Sequence, residues 1–258
     1  MSPIGRRGLL VGAAAVGAAG VAAAVGIPRL AAPDDRAVAL VYRGPAASPG
    51  CPEAVAHLLE SAPTPLRAVY VGPDEDADVD ADSLAGAVVY AQPGGGDLAP
   101  AWRHTRGYAP VLRDWVGAGG TYLGFCLGAY LAGDDPGYGL LPGARVRQYI
   151  GTDDATVHDT GETVVAVTWR DQPRHMYFQD GTVFRARGDD WGAVGATVLA
   201  RYPNDTVAAV VAPYGTGRVG LVGPHPEADA SWYAPNLTNP DGIRYDLGHD
   251  LVETTLTR

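Results

Sequence analysis

No lysine occurs anywhere in the 258 residues; all 19 basic side chains are arginines. That absence removes Schiff-base chemistry, the lysine of a P-loop and any lysine acting as a general base. Positive charge is scarce overall, since the arginines face 29 carboxylates and leave a formal net charge of -10 with a pI near 4.9. Binding to a phosphate backbone needs clustered basic charge, so no nucleic-acid partner is expected. Cysteine is almost absent too, with only Cys51 and Cys126. His57, His104, His158, His175 and His249 lack partners at metal-ligand spacing, so neither a metal nor another cofactor is expected.

What is present begins with Arg6-Arg7 and the apolar stretch Gly8 to Ile27, built largely of Ala, Gly and Val. Residues 1–33 read as a twin-arginine export signal, with Leu30-Ala31-Ala32 as a fair small-residue cleavage site. An uncleaved anchor is the alternative, because the stretch approaches the roughly 20 residues that span a bilayer. Either way the protein is expected outside the cytoplasm, extracellular or in the cell envelope, touching membrane only through this segment if it is retained. Such a compartment is oxidising and leaves a Cys51–Cys126 disulfide open, although the surroundings of Cys126 argue for a free thiol. The remainder, residues 34–258, is 225 residues long and reads as a single domain with enough apolar content for one core.

Short apolar runs at Ala37–Tyr42, Ala68–Val71, Ala87–Tyr90, Thr121–Phe125 and Arg218–Val222 suit strands buried on both faces. They alternate with helical segments at Glu53–Leu59, Arg106–Val116, Leu127–Ala132 and Asp246–Leu256, while the acidic stretch Asp74–Asp82 reads as a loop. This predicts an α/β fold, a doubly wound, mostly parallel sheet with helices on both faces. Between Val146 and Ala212 the pattern changes to β-type runs such as ETVVAVTW, RHMYF, TVFRA and TVAAVVA, which predict an added antiparallel segment.

Gly124-Phe125-Cys126-Leu127-Gly128 has the small-x-nucleophile-x-small form of a strand-to-helix elbow. A cysteine there precedes a helix N-terminus, which favours the thiolate, and the N–H of Leu127 can stabilise an oxyanion. A buried structural cysteine beside a tight turn is the plainer alternative. Pro93-Gly94-Gly95-Gly96, at the end of a strand, can turn further N–H groups toward the same edge. Gly223-Pro224-His225-Pro226-Glu227 follows another strand, so His225 can accept the thiol proton and Glu227 can orient the imidazole. Taken singly, that pentapeptide is an ordinary turn.

As an ordered set, PGGGD, GGTYLGFCLGAY and YGTGRVGLVGPHPE resemble the class I glutamine-amidotransferase-like superfamily. They look most like its biotin-protein ligase N-terminal-like subgroup, whose opening is similar to VYRGPAASPGC here. The resemblance implies a flavodoxin-like sheet, Cys126 as nucleophile, His225 as base, Glu227 as orienter, and oxyanion donors from Gly94, Gly95 and Leu127. It further implies an exported hydrolase acting on an amide or related acyl bond of a small-molecule or peptide substrate through a cysteinyl thioester. Ala129-Tyr130 replace the residues that glutamine-hydrolysing members carry after the elbow. Asp97 and Tyr130 are candidate substrate contacts, and Gln179-Asp180-Gly181 reads rather as a hairpin turn. Nothing resembles the biotinyl-transferring domain, so biotin ligation is not expected. A non-catalytic binding module, or a redox sensor in which Cys51 resolves an oxidised Cys126, are the competing readings.

Overall fold

The computed structural model describes residues 34–257, so the twin-arginine segment lies outside the described residues. In chain order the elements are β1 (Val38–Tyr42), α1 (Cys51–Glu60), β2 (Arg67–Val71), α2 (Ala81–Ala85), β3 (Ala87–Gln92), α3 (Leu98–Thr105), α4 (Ala109–Gly117), β4 (Thr121–Phe125) and α5 (Leu127–Leu131). They continue with β5 (Ala144–Gln148), β6 (Thr163–Trp169), β7 (Gln172–Phe178), β8 (Thr182–Ala186), α6 (Trp191–Val194), β9 (Thr197–Arg201), β10 (Val207–Tyr214), β11 (Gly217–Val222), α7 (Ala230–Tyr233) and α8 (Asp246–Leu256). The eleven strands share one sheet, in the order β2-β1-β3-β4-β11-β10-β9-β6-β7, with β8 branching from β10 and β5 pairing β8.

The stretch β2-β1-β3-β4-β11 is parallel throughout. Its strands can be apolar at every position because both faces are covered. Ala39 and Val41, with Val89, Ala91, Leu123 and Phe125, pack beneath Val55 and Leu58 of α1 and Leu251 and Val252 of α8. The alternate residues Leu40, Tyr42, Tyr90, Tyr122 and Leu221 meet Leu84, Leu112, Val116, Leu127 and Leu131 from α2, α4 and α5. Each fully buried Leu or Val contributes about 1.5–3 kcal/mol of transfer free energy, so the sheet centre is the stiff platform on which the strand ends are held.

From β10 onward the sheet turns antiparallel, and this part is larger than the sequence pattern predicts. β9 and β5 are both additional. The run ARVRQ of β5 buries only Val146 deeply, which leaves little hydrophobic signal to read. Asp74–Asp82 is also not loop throughout. Asp80 accepts from Ser83 N at 2.8 Å while Asp80 N donates back to Ser83 Oγ at 3.1 Å, a capping box that starts α2 at Ala81. The helix expected from Arg106 begins instead at Ala109, where Pro110 fits the first turn, after a separate helix α3 and a single 3₁₀ turn.

The β6–β7 hairpin is fastened to α8 by a bidentate Arg174–Asp246 pair, both contacts at 2.8 Å, and by Trp169 Nε1 donating to Asp250 at 2.7 Å. That matters for the site, because β7 carries the carbonyl that fixes a histidine described below. Among the described residues no helix is long and apolar enough to cross a membrane.

Candidate active site at the carboxyl ends of the parallel strands

Between β4 and α5 a single residue, Cys126, makes the whole turn, at φ 47° and ψ -100°. A non-glycine residue in this conformation costs about 1–3 kcal/mol and persists only where its surroundings impose it. The surroundings are visible: Cys126 N donates to Val222 O at 2.9 Å, tying the turn to the neighbouring strand end. A Cβ on Gly128 would sit 2.0 Å from Gln92 O, so α5 starts almost in contact with the end of β3. Gly128→Ala is therefore expected to lower unfolding stability by about 3 kcal/mol or more, because the obstacle is backbone that cannot rotate away. Urea unfolding checks it; a loss below about 1 kcal/mol would mean that the elbow is not held by this approach.

His225 follows β11 and is 5% exposed. Its backbone N–H donates to Tyr177 O at 2.9 Å, a lone antiparallel bridge to β7. Its ring Nδ1 lies 2.8 Å from Glu227 Oε1, and Glu227 is fully buried. Tyr177 and Trp232 pack against the imidazole with ring centroids 5.7 and 5.1 Å away. Burial by itself would lower the His225 pKa, but the Glu227 carboxylate and neighbouring Cys126 outweigh it and push the value up to about 10. The carboxylate therefore favours the protonated form of the ring. The second oxygen of Glu227, Oε2, is buried with no hydrogen-bond partner among the described residues, so this carboxylate is committed to the histidine.

The glycine loop after β3 closes the other side. A Cβ on Gly94 would stand 2.7 Å from His225 Cε1 and 3.6 Å from Cys51 Sγ, and one on Gly95 would stand 2.7 Å from a methyl of Leu127. Only glycine allows the loop this close to the histidine and the elbow. Leu127, as first residue of its helix, has no intrahelical acceptor for its N–H. Cys51 opens α1 and is 8% exposed. Burial first, then the Glu227 carboxylate and Cys126, push its thiol up to about 12, which keeps it protonated. Both cysteines are free thiols.

These elements enclose a cavity of about 590 Å³, of a size usual for small-molecule sites. Gly95, Asp97, Cys126, Leu127, Tyr130 and His225 all line it, whereas Glu227 lies behind the histidine. Tyr130 donates to the carbonyls of Asp180 and Gly181 at 3.2 and 3.3 Å, and burial, then the neighbouring Cys126 and Asp180, raise its pKa so that it remains a phenol. The Gln179-Asp180-Gly181 turn has a larger part than the sequence reading gives it. Cys126 Sγ donates to Gln179 O at 3.6 Å, and Gln179 and Asp180 both line the cavity. Ser48, within the VYRGPAASPGC opening, also lines it, as do Gln148, Thr160 and Trp232, which carry no motif. Only Ser48, just past a strand end, has a placement that points here. Among the described residues no group of three or more His, Cys, Asp or Glu could hold a metal.

This arrangement defines a class by its fold: a flavodoxin-like, doubly wound sheet with extra antiparallel strands. Residues 37–139 match the family described as biotin-protein ligase, N terminal, which places the likeness on β1 through α5. Among curated proteins none matches. Of the solved structures, PurLQS from Thermotoga maritima aligns at TM-score 0.56 and 18% identity over 86% of this chain and 98% of that one. A Thermoplasma acidophilum protein described as a GMP synthase subunit gives 0.52 and 14% over 86% and 92%. An exo-β-1,4-mannosidase from Opitutaceae bacterium strain TAV5 gives 0.50 and 16%, over 86% of this chain but 36% of that enzyme. At such identities the likeness establishes the fold.

Proposed function

We propose that the protein is an exported cysteine-dependent hydrolase of an amide or related acyl bond, working through a thioester on Cys126. The single observation that carries this reading is the strained Cys126 at a helix N-terminus, sharing a cavity with a buried imidazole backed by Glu227. In the reaction the Cys126 sulfur, its thiol proton passed to His225, attacks the acyl carbon, and the carbonyl oxygen becomes an oxyanion that accepts from Leu127 N–H and from the amides of Gly94 and Gly95. Protonated His225 gives its proton to the leaving amine as the C–N bond breaks, leaving a thioester and a neutral imidazole. Water then gives a proton to His225 as its oxygen attacks the thioester, His225 returns that proton to the departing sulfur, and acid and thiol are released. Glu227 keeps Nδ1 protonated and the ring in place. Export through the twin-arginine segment belongs to the same proposal and fits a stand-alone activity that needs no ATP-using partner.

A redox pair with Cys51 is the second reading, favoured by the two thiols lining one cavity. The raised pKa of Cys51 speaks against it, because a thiol is a poor attacking group until it ionises.

The test is site-resolved labelling with iodoacetamide at pH 7, read by peptide mass. Cys126 is expected to react at least about tenfold faster than Cys51, and His225→Ala is expected to slow it by about tenfold, since a neighbouring imidazolium is what stabilises the attacking thiolate. Equal labelling of both cysteines, or a His225→Ala protein as reactive as the wild type, would sink the nucleophile assignment.

A further inference from the structure

The charge on the cavity wall runs one way. Apart from His225, whose charge is taken by Glu227, the charged side chains lining it are the carboxylates of Asp97 and Asp180. No arginine lines it. Among the described residues neither aspartate has an ion-pair partner. Asp97 stands at the N-cap position of α3, yet its side chain makes no cap bond to the helix. Asp180 sits at φ 50°, a left-handed conformation that sets its carboxylate beside the cavity. One oxygen of Asp180 accepts from Gln148 Nε2 at 2.6 Å. Trp232, its ring tilted at 56° to that of His225, also lines the cavity.

We infer that the acyl substrate carries an ammonium or guanidinium group bound by Asp97 and Asp180 on the cavity wall, and carries no free carboxylate. The inference rests on Cys126 being the nucleophile and adds the class of substrate. Two carboxylates lining one cavity repel each other, and a bound cation relieves that repulsion. In keeping with this, the Asp180 carboxyl is raised by burial and by the charge of Asp97, against the lowering effect of the Gln148 bond. A free carboxylate, by contrast, would enter a wall that offers it no guanidinium and two like charges. The zwitterion of a free amino acid is thus a poorer fit than a basic amide whose carboxylate is blocked or absent.

Charge-matched thiol reagents test this without knowledge of the substrate. The probes are methanethiosulfonates bearing a methyl, a 2-(trimethylammonio)ethyl or a 2-sulfonatoethyl group, each forming a mixed disulfide at Cys126 with loss of methanesulfinate. Rates at Cys126 are read by peptide mass. In the wild type the cationic reagent is expected to outpace the anionic one by on the order of a hundredfold, relative to the ratio for a free thiol. Asp97→Asn and Asp180→Asn should each cut that ratio by several-fold, and the double variant should bring it to within a few-fold of the free-thiol value. A ratio that survives in the folded double variant, or brisk labelling that ignores reagent charge, overturns the cationic-substrate inference while leaving the nucleophile intact. Slow labelling by all three reagents overturns the nucleophile assignment, and the inference with it. Circular dichroism of each variant establishes that it is folded, and Asp97→Arg, which should reverse the preference, provides an independent arm.

Discussion

Cys126→Ala is expected to abolish turnover of any amide substrate, by at least about a thousandfold in kcat, while the protein remains folded with nearly unchanged stability. The loss is large because thioester formation has no substitute nucleophile: Cys51 in the same cavity is protonated and packed against the Gly94 loop. Cys126→Ser should fare little better, since a hydroxyl beside an imidazolium has no base to activate it. Retention of full turnover by Cys126→Ala would end the thioester reading.

The same position makes a second, opposite demand on stability. Cys126 holds φ 47° and ψ -100°, outside the conformations that side chains favour, and a Cβ of any kind retains that cost. Cys126→Gly should therefore be more stable than Cys126→Ala by about 1 kcal/mol, the strain relief exceeding the 0.5–1 kcal/mol that glycine adds to the entropy of the unfolded chain. For a domain of this size that is a rise of about 2–4 °C in Tm. Scanning calorimetry of the two variants gives the difference directly, and alanine at or above glycine would mean that the turn stores no strain. An inactive variant that is more stable than its active parent is the signature of a site whose geometry is imposed by the fold for chemistry.

How much of this was legible in the amino-acid sequence depends on whether a residue's position is set locally. The elbow reads directly, because Gly124 and Gly128 flank Cys126 at the spacing that a close strand–helix approach needs, and the contact of Gly128 with Gln92 O shows why. His225 and Glu227 read nearly as well, since both follow a strand whose end must lie at the same sheet edge. Trp232, Gln148 and Thr160 do not read at all. They reach the cavity through the antiparallel segment and the chain beyond β11, whose placement depends on long-range pairing and on contacts such as Arg174–Asp246. Asp180 shows the limit from the other side: its turn character is evident, but a turn becomes a cavity wall only because β7 pairs with the His225 loop. In the fold, α2 hides in acidic sequence because its capping box supplies what hydrophobic periodicity lacks.

Glu227→Gln carries the other large effect, and its pH dependence identifies the cause. In the folded protein His225 titrates near 10, against about 6.5 in the unfolded chain. A group with a raised folded pKa contributes stability that is fully present below the unfolded value and is lost as pH rises through the folded one. Below about pH 6.5 the folded wild type benefits from the pair in full, and by pH 10 much of the benefit has gone. With glutamine at 227 the buried imidazole loses the carboxylate that outweighs burial, so it becomes neutral when folded and contributes nothing of this kind. The variant should be less stable than the wild type by about 3 kcal/mol at pH 6.5, in line with the cost of removing one partner of a buried pair, and the gap should close steadily toward pH 10. Urea unfolding of both proteins at pH 6.5, 8 and 9.5 measures it. A gap that stays constant over that range would show that His225 is neutral in the resting protein, so that proton transfer from sulfur to imidazole would accompany attack on the substrate rather than precede it.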